Sequence, residues 1–354
     1  MTATALPLRT VAVRTLLTIA ISVAGGFVVS LFGVPGSWLM GGALAVAVAA
    51  IAGVKVMMPD WLRDLSFVLI GLSMGANVAK DSLQLIVQWP VTMAALLLEL
   101  LIIVATTGYL LRKIFKVDRG TAYLSSFPGH LSFVMGMAAA GVGDPRQIVI
   151  IQVIRILLLT ICVPIGALWL PVGQFSQAAI PDATPMMLIA MFAVCLLVGF
   201  AFTKLRVPAG YSLGAMAAAT IAKLTGFYEG AIPDVLMIFT FVLVGGMIGA
   251  RFEGITRSEI ARASVGGLIG AFIAVAIVTV VAYAASTLVD MPFAQIWLGL
   301  SPGGLEAMGA LGLALGLDSA FIAAHHVARL LLLTILIPVV TILVREREAP
   351  RASP

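Results

Sequence analysis

The stretch LSSFPGHLS at residues 124–132 recurs in altered form as LGLSPGGLE at residues 298–306. Each copy places a Pro-Gly step in the middle of an apolar segment. Proline removes a backbone donor and blocks helix continuation, and glycine permits backbone conformations that other residues avoid. At membrane depth such a break is tolerated only where protein or a water-filled cavity satisfies the freed backbone groups. We therefore expect the rest of the chain to be a frame that holds these two breaks.

The composition indicates an all-α integral membrane protein. Hydrophobic residues make up 61% of the chain and charged residues only 10%, whereas soluble domains carry about 25% charged residues. Apolar runs of about 18–24 residues, long enough to cross a hydrocarbon core, recur along the chain. The predicted segments are residues 14–32, 37–54, 62–79, 88–111, 121–142, 147–170, 187–204, 211–226, 234–251, 264–289, 295–316 and 320–344.

The two halves of the chain align at a shift of 173 or 174 residues, which indicates an internal duplication. The aligned pairs include Pro35 with Pro208, Pro59 with Pro233, Gly71 with Gly245, Gly75 with Gly249, Asp144 with Asp318, and Arg155 with Arg329. A collinear series of this kind is hard to produce by chance. We divide the chain into membrane repeat 1 (1–172), an inter-repeat loop (173–185), membrane repeat 2 (186–345) and a polar C-terminal tail (346–354).

Lysine and arginine are concentrated on the cytoplasmic side of membrane proteins, and this bias predicts the topology. Twelve full crossings, the alternative arrangement, would leave 12 Lys and Arg inside and 7 outside. If both Pro-Gly segments enter and return on one side, the counts become 17 and 2. The second arrangement predicts two inverted repeats, each of about five transmembrane helices plus one re-entrant segment. Both termini would then be cytoplasmic in a bacterial inner membrane.

Two arginines lie inside predicted membrane segments, at matching places in the two repeats. A membrane arginine costs at least ~2.5 kcal/mol on insertion scales, so it normally faces a partner or a watery cavity. Arg155 and Arg329 could receive an anionic substrate through bidentate hydrogen bonds. They could equally be structural links to Asp144, Asp318 or carbonyls at the breaks. The predicted substrate-binding set is Ser125, Ser126, Pro128, Gly129, His130, Arg155, Ser301, Pro302, Gly303, Gly304 and Arg329.

Four residues are candidates for a coupling-ion or proton site. Glu306 follows the second break directly, where helix ends supply donors and carbonyls for ions. His326 lies three residues before Arg329 and could relay protons or bond to backbone. Asp144 and Asp318 are the other two candidates, although both resemble helix N-caps, and capping is the favoured role.

A further carboxylate, Glu99, lies in the middle of a segment where the other repeat has Ile273. An intramembrane carboxylate is a functional candidate by default. Glu306 is the stronger of the two because it sits at a break. The Gly71-x-x-x-Gly75 pattern and its counterpart at Gly245 and Gly249 favour close helix packing over any chemical role.

No motif of a soluble enzyme occurs in the chain. It has no phosphate-binding loop and no His-Glu-x-x-His pattern. Its three histidines and two cysteines, Cys162 and Cys195, both inside apolar segments, would not readily assemble a metal centre. We expect neither enzymatic activity nor a cofactor or resident metal. The net charge of +5 is spread singly over membrane loops, so no nucleic-acid partner is expected.

Three motifs resemble those of the bacterial AbrB membrane family. They are PGSWLMG at 35–41, SSFPGHLS at 125–132 and QVIR at 152–155. The similarity covers about 14–344, and that family carries the unit twice. Its members often bear the labels "ammonia monooxygenase" or "regulator". His130 departs from the usual second glycine of the motif, so the two hairpins are not expected to behave alike.

Architecture and membrane charges together predict a secondary transporter of a small, anionic metabolite that works by alternating access. Its partners would be that substrate, the lipid bilayer, H⁺ or Na⁺ as coupling ion, and a second copy in a homodimer. The first alternative is a membrane sensor that affects gene expression through a partner. The least favoured alternative is a membrane oxygenase.

The re-entrant topology makes a direct prediction for the loop at 171–185. A peptide tag placed there should be accessible to antibody or protease in intact spheroplasts, because five crossings from a cytoplasmic N-terminus end outside. The same tag added after Pro354 should become accessible only after lysis. Protection of the loop tag until lysis would contradict this topology.

Overall fold

The computed structural model describes residues 7–78, 89–168 and 182–348, which fold almost entirely into α-helices. Most of the inter-repeat loop (173–181), Lys80 and the end of the tail (349–354) lie outside these ranges. In chain order the helices are α1 Leu8–Ser30, α2 Ser37–Ile51, α3 Asp60–Ala76, α4 Trp89–Ile114, α5 Arg119–Ser126, α6 Leu131–Ala139, α7 Pro145–Ala167, α8 Pro185–Lys204, α9 Gly210–Leu224, α10 Asp234–Ala250, α11 Arg257–Ser286, α12 Phe293–Leu300, α13 Leu305–Ala314 and α14 Ser319–Glu348.

Six of these helices, α1, α4, α7, α8, α11 and α14, are long and apolar enough to cross a membrane. The predicted all-α membrane fold is thereby confirmed. The segments that carry the Pro-Gly steps are different, because each is split into two short helices. At 1.5 Å per residue, α5 and α12 are only about 12 Å long, well short of a hydrocarbon core of about 30 Å.

The helix boundaries recur with the shift seen in the sequence. Helices α3 and α10 both have 17 residues, and α5 and α12 both have 8. Each of the last long helices of the two halves contains an internal proline, Pro164 in α7 and Pro338 in α14. The N-caps of α2 and α9, Gly36 and Ala209, share a left-handed backbone conformation. The inverted orientation of the two repeats stays a prediction.

The chain forms two compact units, and each takes matching elements from both sequence halves. Unit 1 comprises residues 1–83, 160–255 and 305–323. It contains α1–α3, the equivalent α8–α10, and α13. Unit 2 comprises residues 84–159, 256–304 and 324–354. It contains α4–α6 together with α11 and α12, while α7 and α14 each run from one unit into the other.

In unit 1 the glycine pairs mediate close helix packing, as predicted. A Cβ on Gly71 of α3 would meet the Ser212 carbonyl of α9, and a Cβ on Gly245 of α10 would meet the Leu39 carbonyl of α2. Adding the repeat shift of 174 to Gly71 gives Gly245, and subtracting the shift of 173 from Ser212 gives Leu39. The same contact is therefore made twice with the roles of the halves exchanged, as a two-fold relation between α2–α3 and α9–α10 requires.

Segment 121–142 in unit 2 returns to the side from which it starts. The amide of Asp144, after α6, donates to Thr121 Oγ1 at 2.6 Å, in the first turn of α5. A Cβ on Gly120 would lie 2.8 Å from the amide nitrogen of Gly143. If the segment crossed the membrane, its ends would be about 30 Å apart. The first Pro-Gly segment therefore doubles back as a hairpin, hairpin 1, as the re-entrant arrangement requires; its position in the membrane stays a prediction.

Two contacts in unit 1 agree with this return. Lys55 forms an ion pair with Glu253 at 3.4 Å, and Lys223 Nζ donates to the Ala76 carbonyl. Twelve full crossings would put the members of each pair on opposite sides of the membrane. A chain in which segment 121–142 does not cross puts each pair on one side.

The packing of α3 on α9 makes a testable prediction. Gly71→Ala should destabilise the protein by about 1–3 kcal/mol, because the methyl group would collide with backbone of the neighbouring helix. Gly136→Ala in α6 is the matched control, since no atom lies within 4 Å of its added Cβ. Thermal unfolding in detergent measures both variants. Equal melting temperatures for Gly71→Ala and wild type would contradict the close approach.

Candidate functional site

The two Pro-Gly breaks share a tight backbone turn, although they lie 174 residues apart. The amide of Gly129 donates to the Phe127 carbonyl at 3.0 Å, and that of Gly303 donates to the Ser301 carbonyl at 2.8 Å. Each turn follows the end of a short helix, α5 or α12. The last carbonyls of a helix have no partner within the helix, so each break leaves acceptors that must be satisfied.

Arg155, on α7, satisfies the carbonyls at the end of α5. Its Nη1 donates to the Ser125 carbonyl at 3.0 Å and its Nη2 to the Phe127 carbonyl at 2.6 Å. One turn earlier on α7, Gln152 Nε2 donates to the Leu124 carbonyl at 3.2 Å. The C-terminal end of a helix carries roughly half a negative charge, which a guanidinium opposes.

Arg329, on α14, satisfies the carbonyls at the end of α12. Its Nη1 donates to the Ser301 carbonyl at 2.6 Å, and its Nη2 donates to the Leu300 carbonyl at 2.9 Å and the Gly299 carbonyl at 3.2 Å. The structural link to carbonyls at the breaks, one of the two predicted roles, is thus present for both arginines. Each guanidinium keeps its Nε without a hydrogen-bond partner among the described residues.

Neither buried arginine has a carboxylate in contact with it in the part of the chain that the structure describes. Arg155 is 4% exposed and Arg329 is 1% exposed, and the two lie within electrostatic range of each other. Among the described ranges, the ion pairs within 4.0 Å all involve other residues. Two like charges are therefore buried close together, with helix carbonyls as their polar contacts. Such a site has a net positive potential.

Further polar atoms in unit 2 lack partners. Ser125 Oγ and Gln152 Oε1 are buried and make no hydrogen bond within the described part of the chain. Buried polar groups in proteins are nearly always paired with protein or ordered water. Unpaired atoms next to the arginine-held carbonyls identify the region between the breaks as a place for water or a polar ligand.

His130 makes the two breaks unequal, as the motif comparison led us to expect. It adopts a left-handed backbone with φ +56°, and its ring packs against Phe133. Its Nε2 shares a hydrogen bond of 3.2 Å with Thr334 Oγ1 on α14. Neither Gly303 nor Gly304 has a positive φ. A left-handed histidine is strained by about 1–2 kcal/mol relative to the usual backbone, so the imidazole is held at this break by its surroundings.

The other two histidines lie on α14, ahead of Arg329. His325 Nε2 shares a hydrogen bond of 2.8 Å with Thr92 Oγ1, and the His325 ring contacts the edge of Trp89. His326 is 2% exposed. These contacts attach α14 to α4 within unit 2.

Glu99 on α4 also belongs to this neighbourhood. It is 0% exposed and lies within electrostatic range of Arg329. Neither of its carboxylate oxygens has a hydrogen-bond partner among the described residues. The predicted coupling-ion set did not include Glu99. The sequence signal that could have included it is a carboxylate inside an apolar segment where the other repeat has the apolar Ile273.

Comparison with known proteins identifies the family of the chain. The family model described as "Transition state regulatory protein AbrB" matches residues 38–345, which is most of the chain. The chain belongs to this family. Relatives of this AbrB-family protein include "Uncharacterized protein YhjN" of Bacillus subtilis (strain 168), 26% identical over 90% of both chains. Another is "Putative regulator AbrB" of Escherichia coli (strain K12), 24% identical over 84% of this chain and 86% of the relative.

The AbrB-family motif residues predicted to bind substrate all fall in unit 2, around the two breaks. Among the predicted coupling residues, Asp144 and Asp318 act as helix caps. Asp144 Oδ1 accepts from the Arg146 amide at 2.9 Å, and Asp318 Oδ1 accepts from the Ala320 amide at 2.8 Å. Their assignment as coupling-ion sites stays a prediction.

Glu306 belongs to unit 1, in the first turn of α13, within electrostatic range of Arg251 and Arg63. Its coupling role also stays a prediction. In the described ranges, no three His, Cys, Asp or Glu side chains are grouped so that they could hold a metal ion. Cys162 and Cys195 are both free thiols.

The carbonyl contacts of Arg329 predict a large cost for its removal. Arg329→Gln should lower the free energy of unfolding of the AbrB-family protein by about 3 kcal/mol, because several buried carbonyls lose a charged donor. Arg146→Gln is the control, since the Arg146–Glu259 pair is largely exposed and should contribute less than about 1 kcal/mol. Thermal unfolding in detergent compares the two. Equal small losses would show that the carbonyls do not depend on the guanidinium.

Proposed function

We propose that this AbrB-family protein is a secondary transporter of small anionic metabolites in the bacterial inner membrane. The observation that carries the proposal is the pair of buried arginines, one at each helix break, with no carboxylate of the described residues within 4.0 Å of either. Broken helices at the interface of repeats are where secondary transporters place their substrates.

The charge balance of the site favours an anion. The two guanidinium groups contribute two positive charges, and the C-terminal ends of α5 and α12 offset about half a charge each. The remaining positive charge is buried, where interactions between charges are much stronger than in water. An anionic substrate would supply the missing negative charge, whereas a cation would be repelled.

Donors for such an anion lie at the breaks. The Nε groups of Arg155 and Arg329 are unpartnered, and so is the Ser125 hydroxyl. Helices α6 and α13 begin directly after the two breaks, so their positive dipole ends lie next to each tip. The hairpin tips would thus cradle the substrate, and the arginines would hold the tips and balance its charge together.

The frame is compatible with alternating access. The two ends of hairpin 1 lie together, and in unit 1 the two halves exchange equivalent glycine contacts. Inverted repeats with hairpins from opposite faces would let one arrangement open inward and its mirror open outward. The inverted orientation and the second re-entrant hairpin are part of the proposal.

A second candidate is a membrane protein with a regulatory role. The observation in its favour is the name "Putative regulator AbrB" of the Escherichia coli relative. A regulator would change expression of a target gene on ligand addition, and it would do so without moving the ligand across reconstituted vesicles. The two functions therefore differ in a liposome flux assay.

Ligand-dependent thermal stability tests the transport site. We would screen the purified protein against small organic acids, amino acids and ammonium, and then measure uptake of each hit by proteoliposomes. A ligand at a hundred times its Kd adds about 2.7 kcal/mol of apparent stability. We expect an organic acid to stabilise the wild type and Ser125→Ala to lose most of that shift.

Ser212→Ala is the matched control, because Ser212 Oγ is also buried and unpartnered but belongs to unit 1. It should respond to the acid as the wild type does. Two results would contradict the proposal. One is the absence of stabilisation or flux with any acid, and the other is equal stabilisation of wild type and Ser125→Ala.

A further inference from the structure

Glu99 is a buried carboxyl group for which the described residues supply no hydrogen-bond partner. It lies in the middle of α4, is 0% exposed, and neither oxygen accepts or donates a hydrogen bond among the described residues. Removing an ionised carboxylate from water without a partner is far more costly than removing the neutral acid. The geometry therefore fits a carboxyl group that carries a proton at rest.

The charged and titratable groups on the elements packed against α4 are few. Helix α14 contributes His325, which is paired with Thr92, together with His326 and Arg329. Helix α5 contributes Arg119 and Tyr123, which face each other in a cation–π contact. Helix α11 has no titratable residue between Arg262 and Tyr283. Arg329 is the cation that acts electrostatically on Glu99.

Arg329 has two possible kinds of acceptor, the backbone carbonyls that it contacts and the carboxyl group of Glu99 within its electrostatic range. Its Nη atoms donate to the carbonyls at the end of α12, and no ion pair within 4.0 Å joins it to Glu99. While Glu99 is neutral, the carbonyls remain the stronger acceptors for the Arg329 guanidinium. An ionised Glu99 would attract it, since a carboxylate is a much stronger acceptor for arginine than a neutral carbonyl.

We propose that Glu99 is the proton-binding site of this transporter and that its ionised carboxylate competes with the carbonyls of Gly299–Ser301 for Arg329. The proton comes from water and forms an O–H bond on a carboxylate oxygen; its return to water leaves the charge on Glu99. When Glu99 is protonated, the positive charge of Arg329 is available to the second break and to an anion bound there. The proton and the anion would therefore bind together. This inference rests on the proposed transport function.

A proton suits the site better than a metal cation. Cations such as Ca²⁺ and Mg²⁺ require several oxygen ligands, and Glu99 is surrounded by leucines and isoleucines of its own helix. The Thr92 hydroxyl, two turns before Glu99 on α4, is already paired with His325. One carboxyl group alone is enough to hold a proton.

The duplication supplies an internal control. The residue that matches Glu99 in the second repeat is Ile273, on α11. Helix α11 approaches α7 one residue before Arg155, since a Cβ on Gly267 would meet the Ile154 side chain at 2.7 Å. The place on α11 that matches Glu99 therefore offers Arg155 no competing carboxylate, and the carbonyls at the end of α5 should not respond to protonation.

Infrared difference spectroscopy of the reconstituted protein tests the proton site without any substrate. Between acidic and alkaline buffer, the wild type should lose the C=O stretching band of a buried protonated carboxyl group. Glu99→Gln should lack that band, and Glu306→Gln should retain it. A band that persists in Glu99→Gln, or one that disappears in Glu306→Gln instead, would overturn the assignment.

Hydrogen–deuterium exchange tests the competition for Arg329. In alkaline buffer, peptides covering the second break should exchange severalfold faster in wild type than in Glu99→Gln, while peptides covering the first break should be unchanged. Equal exchange at the second break would refute the coupling. Glu99→Gln mimics the neutral acid, so its failure to fold would also refute the proposal. Absence of transport with any acid, by contrast, would leave the infrared result intact.

Discussion

A helix that stops inside a membrane leaves carbonyl groups that water cannot reach, and the rest of this structure depends on how those groups are satisfied. In this protein the solution is an arginine from a later helix, used once in each sequence half. Arg155 and Arg329 each donate to several carbonyls at the end of a short helix. The solution brings a second problem, because it buries two positive charges within range of each other. Stability and the proposed anion binding thus depend on the same pair of side chains.

Much of this could be predicted from the sequence because duplication marks the residues that matter. The constant shift between the two halves identified the breaks, both arginines and the glycines of α3 and α10. The length of the apolar runs identified the long helices. The carbonyl partners of the arginines could not be predicted, since every residue has a carbonyl and no sequence pattern distinguishes the ones that a fold leaves unpaired. The pairing of α3 with α9 was also out of reach, because small residues indicate close packing without naming the neighbour.

The departures from symmetry were harder to weigh than the symmetry itself. His130 replaces a glycine and takes a left-handed backbone, while the matching Gly304 does not. Glu99 stands where the other repeat has an isoleucine, and it lies within electrostatic range of Arg329, the arginine of the other half. From sequence, Glu306 looked the better coupling residue because it adjoins a break. Glu99 is buried and has no hydrogen-bond partner among the described residues, and only the structure shows this. Where the two halves of a duplicated chain carry different residues at matching places, the two breaks can differ in how they respond to a proton or an ion.

The order in which the chain is synthesised gives the arginine contacts a further consequence. Arg155 lies 30 residues after the Ser125 carbonyl that it binds, and Arg329 lies 28 residues after the Ser301 carbonyl. Each short helix therefore leaves the ribosome well before the side chain that will satisfy its end. Neither α5 nor α12 is long enough to be inserted as a span of its own. The carbonyls at the end of each short helix therefore gain their charged donor only after α7 or α14 has been synthesised, once in each half.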